Sequence, residues 1–334
     1  MKNNHSSIAP GLKYIILFFI ILILLICTYI YWYSTLLKNS ENHLIKFNKN
    51  LKNNEIEINW DEIITKGFPY RIEKNLKNVE LKYKNIFIQT KNIKIINQPW
   101  NLKHFIIKIE NEISVKNKIK KLKIINDGLI SSFKIKDKSN IRLSIQSKSL
   151  KINSEKFLIQ LFNPELHIRN FNENNIESVF ITKNIVFPLK NNEAHFENIN
   201  LHGSILNYSN IKIKDIKNWF INEGGIDLKN ISFLINNKPI SFSGFISLDK
   251  KFNILSTLSL NGTGLRNLLI FLKNKEVITS EIFEASDIII ETINISSKLI
   301  DNEPTYTLNI QDGILSLMNV KILNVPNLEK YLYN

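Results

Sequence analysis

The sequence predicts a mostly β protein of the α+β class, in which an N-terminal transmembrane helix precedes a large, antiparallel, curved β-sheet with a few packing helices. Three observations lead to this prediction. The chain has an uncharged apolar run at Tyr14–Tyr33, a residue period of two from about Glu55 onward, and a strong preference for Ile among its apolar residues. A period of two is typical of half-buried strands, and β-branched Ile suits the pleated surface of a sheet.

The apolar run is the first element of the chain. As a helix, Tyr14–Tyr33 would extend about 30 Å, which is the thickness of the hydrocarbon core of a bilayer. A cleaved secretory signal has a shorter apolar core that is followed by small residues. Here the run ends in the bulky stretch Tyr29–Tyr33, whose aromatic rings suit the membrane–water interface. We therefore predict an uncleaved signal-anchor.

The position of this anchor predicts the organisation of the chain. Residues 1–13 form a short cytoplasmic head, residues 14–33 the transmembrane helix and residues 34–54 a stalk helix, while residues 55–334 form one β-rich domain outside the membrane. A short head before a long domain favours export of the domain. The single cysteine, Cys27, lies inside the membrane segment, so the domain has no intramolecular disulfide. A bacterial envelope compartment fits this composition.

The net charge of +14 does not predict a nucleic-acid partner. The lysines alternate with Ile, Leu and Phe, as in Lys118–Ile124 and Phe133–Lys138, and this spacing indicates the wet face of a sheet rather than a concentrated basic stripe. If the charge has a specific role, anionic lipid headgroups are the favoured partner.

Short alternating runs predict the strands of the domain. The clearest is Phe105–Val115, with five apolar residues on one face and polar residues between them. Further runs with the same pattern are Val79–Tyr83, Leu129–Ile135, Ile141–Ile145, Ile226–Ile235, Ile240–Phe242, Ile254–Leu260 and Tyr306–Ile310. Such one-sided strands belong to antiparallel sheets with one face covered and one solvated.

Turn residues separate these runs and predict hairpins, and the chain from Gly225 to Leu260 is expected to form a meander of three strands. The four predicted turns are Asn126–Gly128, Asn236–Pro239, Asp249–Lys251 and Gln311–Gly313.

Three helices are predicted inside the domain. They are Asp215–Asn222, Gly264–Asn274 and Ser280–Lys298, the last with Ser280 as its N-cap. For Ile288–Ile290 within the third helix, a buried strand is the alternative.

No pattern of residues predicts a metal site. None of the six histidines has another histidine at helical spacing or a cysteine nearby. His195 and His202 are seven residues apart, which on one regular strand places them on opposite faces. The histidines are His5, His43, His104, His167, His195 and His202.

No catalytic pattern is found either. Asn261–Gly264 precedes a helix but lacks the Gly-Lys-Ser/Thr ending of a phosphate loop, and there is no Gly-x-Ser-x-Gly nucleophile elbow. Neighbouring acids such as Asp61 and Glu62 face apart in extended structure. We therefore predict no catalytic residue, no cofactor-binding residue, no metal ligand, no cofactor and no enzyme activity.

Several segments in order carry a family resemblance. They are Gly67–Ile72 (GFPYRI), Trp219 with Gly224–Ile226 and Ile240–Asp249, Gly262–Gly264, and Asp312–Leu315 with Leu323 and Pro326–Leu328. Across about Glu55–Leu328 the chain resembles the bacterial domain of unknown function 2125, from alphaproteobacterial envelope proteins. In its middle third only Asn97–Trp100 matches.

The resemblance implies a single-pass inner-membrane protein with a periplasmic domain, and it brings no known reaction. The Gly67–Ile72 segment also resembles AsmA-type envelope proteins, whose curved sheets form an apolar trough associated with lipid handling. Within that segment, Phe68 and Tyr70 are expected in the core.

The leading functional hypothesis is a membrane-anchored, non-enzymatic envelope protein whose curved sheet binds or shields a lipid or another apolar ligand. Its partners would be membrane lipids through the anchor, and a lipid or another envelope protein through the domain. One alternative is an envelope scaffold with a closed core and no ligand. The other is a hydrolase acting on lipid or cell wall.

Overall fold

The structure is a computed structural model that describes residues 10–52, 56–117, 121–137, 140–155, 157–170, 174–188, 193–208, 216–221, 224–249, 251–299, 302–318 and 320–329. It begins with one continuous helix, α1 (Pro10–Lys52). Among the described residues, Tyr14–Leu51 of this helix is the one segment long and apolar enough to cross a membrane. Residues 1–9 of the predicted head lie outside the described ranges.

The remainder of the described chain is dominated by strands, as predicted. The first twelve are β1 (Ile56–Asn59), β2 (Glu62–Lys66), β3 (Ile72–Tyr83), β4 (Ile86–Gln98), β5 (Asn101–Lys116), β6 (Lys121–Asp137), β7 (Asn140–Gln146), β8 (Ser149–Ser154), β9 (Leu158–Phe162), β10 (Glu165–Asn170), β11 (Ile176–Pro188) and β12 (Glu193–Leu206). The following elements are α2 (Ile216–Ile221), β13 (Gly225–Ile235), β14 (Lys238–Leu248), β15 (Ile254–Asn261), α3 (Leu265–Asn274), α4 (Ser280–Leu299), β16 (Thr305–Gln311), β17 (Ile314–Leu317) and β18 (Val320–Asn324).

All strands belong to one antiparallel sheet in which neighbours in sequence are mostly neighbours in space. Three positions of the sheet hold two short strands end to end: β1 and β2 both pair with β3, β7 and β8 both pair with β6, and β9 and β10 both pair with β11. Eighteen strands therefore fill fifteen positions, which at the usual strand spacing extend about 70 Å. Twisted open sheets of more than about ten strands ordinarily curl, split or flatten, and curling accords with the curved sheet predicted above.

A line of backbone irregularities crosses the first twelve strands near their midpoints. It is marked by five residues with positive φ angles: Asn78 in β3, Asn111 in β5, Gly128 in β6, Asn163 between β9 and β10, and Asn198 in β12. Gly and Asn adopt this left-handed conformation more easily than other residues. We call this line the crease. Because a bulge bends its strand and increases the local twist, a row of aligned bulges bends the sheet along the row.

The hydrogen bonds show that the crease is continuous from strand to strand. The backbone N–H of Asn163 donates to the carbonyl of Lys148, in the break between β7 and β8, at 2.8 Å. The Thr182 hydroxyl donates to the carbonyl of Phe162, at the end of β9, at 2.7 Å. Thr182 in turn pairs with Ile199, the residue after Asn198. Each break in one strand is thus matched by a break in the next.

The crease corrects the expectation for two histidines. Phe196 and Ile199 pack in one apolar cluster although three residues separate them, because the bulge at Asn198 shifts the alternation by one residue. His195 and His202 therefore lie on the same face of β12, opposite to that cluster, and not on opposite faces. The prediction that His195 and His202 lie on opposite faces assumed a regular strand without this bulge.

The last strands of the sheet are covered by two helices. α3 and α4 pack on the apolar face of β14–β18 and bury a cluster that includes Ile240, Leu260, Ile290, Tyr306 and Leu317. The Tyr306 hydroxyl donates to Asn294 Oδ1 of α4 at 2.9 Å, and burial raises the pKa of Tyr306 to about 12. This end of the domain has a closed core.

The predicted helices are present, whereas one predicted cap and one predicted turn are wrong. Ser280 is the first residue of α4, and the hydroxyl of the preceding Thr279 accepts from the backbone N–H of Ile282 at 3.4 Å. α4 contains Ile288–Ile290 in helical conformation, with Ile290 buried, so the strand alternative is wrong. Positive φ angles at Asn236 and Asn237, and at Asp312 and Gly313, confirm two hairpin turns. Asn126–Gly128, however, lies within β6 at the crease, because turn-forming residues also suit bulges.

The two faces of β15 give a test of the covered core. Leu260→Ala should lower the free energy of unfolding by about 2–5 kcal/mol, since the side chain is 0% exposed beneath α3 and α4. Leu255→Ala, on the other face and 37% exposed, should cost less than about 1 kcal/mol. Chemical denaturation of the full chain in detergent measures both, and equal losses would contradict this assignment of faces.

Candidate functional site

The candidate site is the apolar face of the sheet between its two covered ends. Strand register carries one apolar face across all fifteen positions, because directly paired residues point to the same side. On β4–β11 this face is lined by Ile88, Ile95, Ile107, Ile109, Ile113, Val115, Ile124, Leu129, Phe133, Leu143, Ile145, Ile152, Leu166, Ile168 and Phe180. We call these side chains the uncovered apolar face.

Helix α1 covers the first end of the apolar face. The Lys74 ammonium donates to the carbonyl of Ser40 at 2.6 Å. Lys74 lies between the buried residues Ile72 and Leu76 on the same face of β3. Further along α1, Asn48 Nδ2 donates to the carbonyl of Ile58 in β1 at 2.6 Å. Burial lowers the pKa of Lys74 to about 8, against the opposing effect of Glu41. The membrane helix and the first strands are therefore packed as one unit.

The far boundary of the uncovered face is set by α3. Its residues Leu268 and Phe271 pack against Phe187 and Phe196 of β11 and β12, with the rings of Phe196 and Phe271 5.1 Å apart. Within the described residues, the two buried apolar clusters that include α3 and α4 contain no residue of β4–β10.

The side chains of the uncovered apolar face are consequently only half-buried. Their equivalents at the two ends, such as Ile72 and Leu260, are fully buried by helices. The side chains of this face are apolar along the sheet, whereas helices cover the face only at its two ends. A continuous strip of aliphatic and aromatic side chains therefore remains available to an apolar ligand in the middle of the sheet.

The opposite face is polar and carries an ion cluster around Glu177. Its carboxylate lies 2.5 Å from Arg169 Nη2, 2.9 Å from His202 Nε2 and 2.8 Å from Lys229 Nζ. The carboxylate of Glu177 is 7% exposed, and hydrogen bonds from Lys229, His202 and Arg169 lower its pKa to about 2. The cluster ties β10, β11, β12 and β13 together on the side away from the apolar face.

The remaining described histidines are placed separately. His104 Nε2 lies 2.9 Å from the Ser132 hydroxyl, and His167 Nδ1 lies 3.0 Å from that of Ser144. Among the described residues no group of three or more His, Cys, Asp and Glu side chains is placed to hold a metal ion. His5 lies outside the described ranges.

The expectation that Phe68 and Tyr70 belong to the core is wrong. Both side chains are exposed, Tyr70 to 74%, and the ring of Phe68 packs against Tyr29 and Tyr33 of the membrane helix. The sequence offered no signal for this contact, because Phe68 lies 39 residues after Tyr29 and 35 residues after Tyr33. The proximity of the turn to the anchor appears only in the tertiary structure.

Comparison of the chain with protein-family models, with curated proteins and with solved structures found no match. The resemblance to the domain of unknown function 2125 and to AsmA-type proteins therefore depends on the sequence segments named above.

The ion cluster predicts a specific acid sensitivity. Glu177 has a lower pKa in the folded chain than in the unfolded chain, so its stabilising effect is complete above about pH 4.5 and declines as the pH falls toward about 2. Glu177→Gln should cost about 1–3 kcal/mol at neutral pH and flatten this decline. Glu165→Gln, a more exposed carboxylate on the same face, is the control. Parallel pH–stability curves for Glu177→Gln and the unsubstituted chain would contradict the assignment.

Proposed function

We propose that this protein is a membrane-anchored, non-enzymatic envelope protein that holds lipid acyl chains on its uncovered apolar face. The observation that carries the proposal is the half-buried aliphatic strip on β4–β10 between two ends that helices bury. Apolar surface of this extent is costly to leave in water, at about 25 cal/mol for each Å² exposed. A bound acyl chain would remove that cost without any specific polar contact.

The connection to α1 favours lipid over other apolar ligands. The same helix that is long enough to cross a bilayer continues over β1–β3, where it covers the start of the apolar face. The uncovered strip therefore begins at β4, the strand paired with β3. Its lining is dominated by Ile and Leu, which suits a flexible hydrocarbon chain better than a polar or hydrogen-bonding ligand.

The contacts of α1 also favour retention of the anchor. The hydroxyls of Tyr29 and Tyr33 donate to the backbone carbonyls of Pro69 and Arg71, at 2.5 and 2.7 Å. Cleavage of the helix would break these bonds. A bacterial inner-membrane location with the domain in the periplasm is the setting we propose, supported by the single apolar helix and by the family resemblance.

Two other functions remain as alternatives. An envelope scaffold would use the same apolar face to bind another protein, and the occupant of the face distinguishes this function from lipid binding. A hydrolase of lipid or cell wall would need catalytic groups that converge near the face, and the polar residues that strand register places there include Ser131 and Ser178.

Photo-crosslinking in cells tests the occupant of the face. A photoreactive amino acid at Ile107, on the uncovered apolar face, should give lipid adducts of the full-length protein, whereas the same amino acid at the adjacent Lys108, on the polar face, should not. Mass spectrometry of the purified protein identifies the adducts. A second matched pair is Leu166 and His167 on β10.

The outcomes separate the candidate functions. Lipid adducts at Ile107 and Leu166 alone support the proposal. Protein adducts at those positions would replace it with the scaffold, and the absence of adducts at both would show a face with no ligand.

The retained anchor and its orientation predict a simple fractionation result. The protein should stay in the membrane after alkaline carbonate extraction, with an intact mass that includes Tyr14–Tyr33. Protease added to spheroplasts should digest the domain. Recovery of a shortened soluble chain, or a domain protected from external protease, would contradict the proposed location.

A further inference from the structure

We propose that two turns at one end of the sheet, Gly67–Arg71 and Pro99–Leu102, rest in the interface of the same bilayer that holds α1. Both turns carry exposed aromatic side chains, Phe68 and Tyr70 in the first and Trp100 in the second. The proposal concerns how the sheet sits on the membrane and not what lies on its apolar face. It can therefore fail or hold independently of lipid binding on β4–β10.

The first argument is the depth of the Gly67–Arg71 turn. The Tyr29 hydroxyl donates to the carbonyl of Pro69, and the Phe68 ring lies 5.1 Å from that of Tyr33. Tyr29 is one helical turn before the end of the apolar run, which places it about 6 Å further into the bilayer than Tyr33. Because helical side chains lean toward the N-terminus, the Tyr29 hydroxyl lies deeper still. The turn bonded to it is thus at the level of the membrane interface.

The second argument is the direction of the strands. From Tyr33 to Ser40 the helix advances about 10 Å, and its partners move from Arg71 to Lys74, also about 10 Å along β3. Strand β3 therefore runs alongside α1 with its start toward the membrane. The hairpin turns of neighbouring strands that lie beside the start of β3 therefore also face the bilayer.

The second turn lies at that end of the sheet. Asn97 pairs with Ile72 at the start of β3, and Gln98 pairs with Asn101 to close the β4–β5 hairpin. Trp100 projects from this hairpin with 65% of its surface exposed, and Leu102 is exposed beside it. Two adjacent turns thus present exposed aromatic side chains at the level where the anchor leaves the membrane.

The chemistry of these side chains matches an interface. Tyr and Trp rings have an apolar body and a polar atom, so they are favoured where hydrocarbon meets water. The exposed cations Lys66 and Arg71 flank the first turn, where lipid phosphates could reach them. The guanidinium of Arg71 also forms an ion pair with Glu73 at 3.1 Å. At the opposite end of the sheet, the β3–β4 turn has Lys84 and Asn85, and the β13–β14 turn has Asn236 and Asn237.

Site-directed spin labelling measures the depth of both turns. The full chain with Cys27→Ser is labelled at Tyr70→Cys or at Trp100→Cys and is reconstituted in phosphatidylethanolamine–phosphatidylglycerol vesicles. Phe87→Cys is the matched control, since Phe87 is also an exposed aromatic but lies at the far end of β4. All three positions are exposed, and an unchanged circular dichroism spectrum confirms that each variant is folded.

The labels at residues 70 and 100 should collide with oxygen, which concentrates in the bilayer, several-fold more often relative to an aqueous nickel chelate than the label at residue 87. If either label is as accessible to the nickel chelate as the control, the two-turn contact with the bilayer is wrong.

Discussion

The structure depends on the cover of a single apolar sheet face. An antiparallel sheet that is apolar on one side gains stability only where that side is removed from water, and this chain has no second sheet in its described residues to serve as the cover. Helices cover the apolar face at both ends of the sheet. α1 lies over β1–β3, and α3 with α4 lies over β14–β18, while the strands between them keep the same apolar residues half-buried. Stability and the candidate function thus derive from the same face.

The crease explains how one face can stay apolar over such long strands. Strands of up to seventeen residues, such as β6, would twist progressively if they were regular. Bulges near their midpoints bend these strands, and in β6 and β12 they shift the side-chain alternation where the apolar pattern of the sequence shifts as well. Phe196 and Ile199 on the two sides of Asn198 illustrate this agreement.

Helix α1 does more than precede the sheet. It packs against the first strands, and through Tyr29 and Tyr33 it holds the Gly67–Arg71 turn against its apolar segment. The buried Lys74, which bonds to Ser40, makes the junction specific, because an ammonium with no acceptor would be costly there. A junction of this kind holds the apolar face in a defined position relative to α1.

The sequence by itself determined the class of the fold, the apolar helix, the strands such as Phe105–Val115 and the helices α3 and α4, because these follow from local periodicity. It also placed the hairpins at Asn236–Asn237 and Asp312–Gly313, where positive φ angles demand particular residues. Only the tertiary structure decided that Asn126–Gly128 is a bulge, that His195 and His202 share a face, and that the ring of Phe68 packs against the ring of Tyr33. Those features arise from contacts between residues distant in sequence, and strand register and helix packing are collective outcomes that no local pattern encodes.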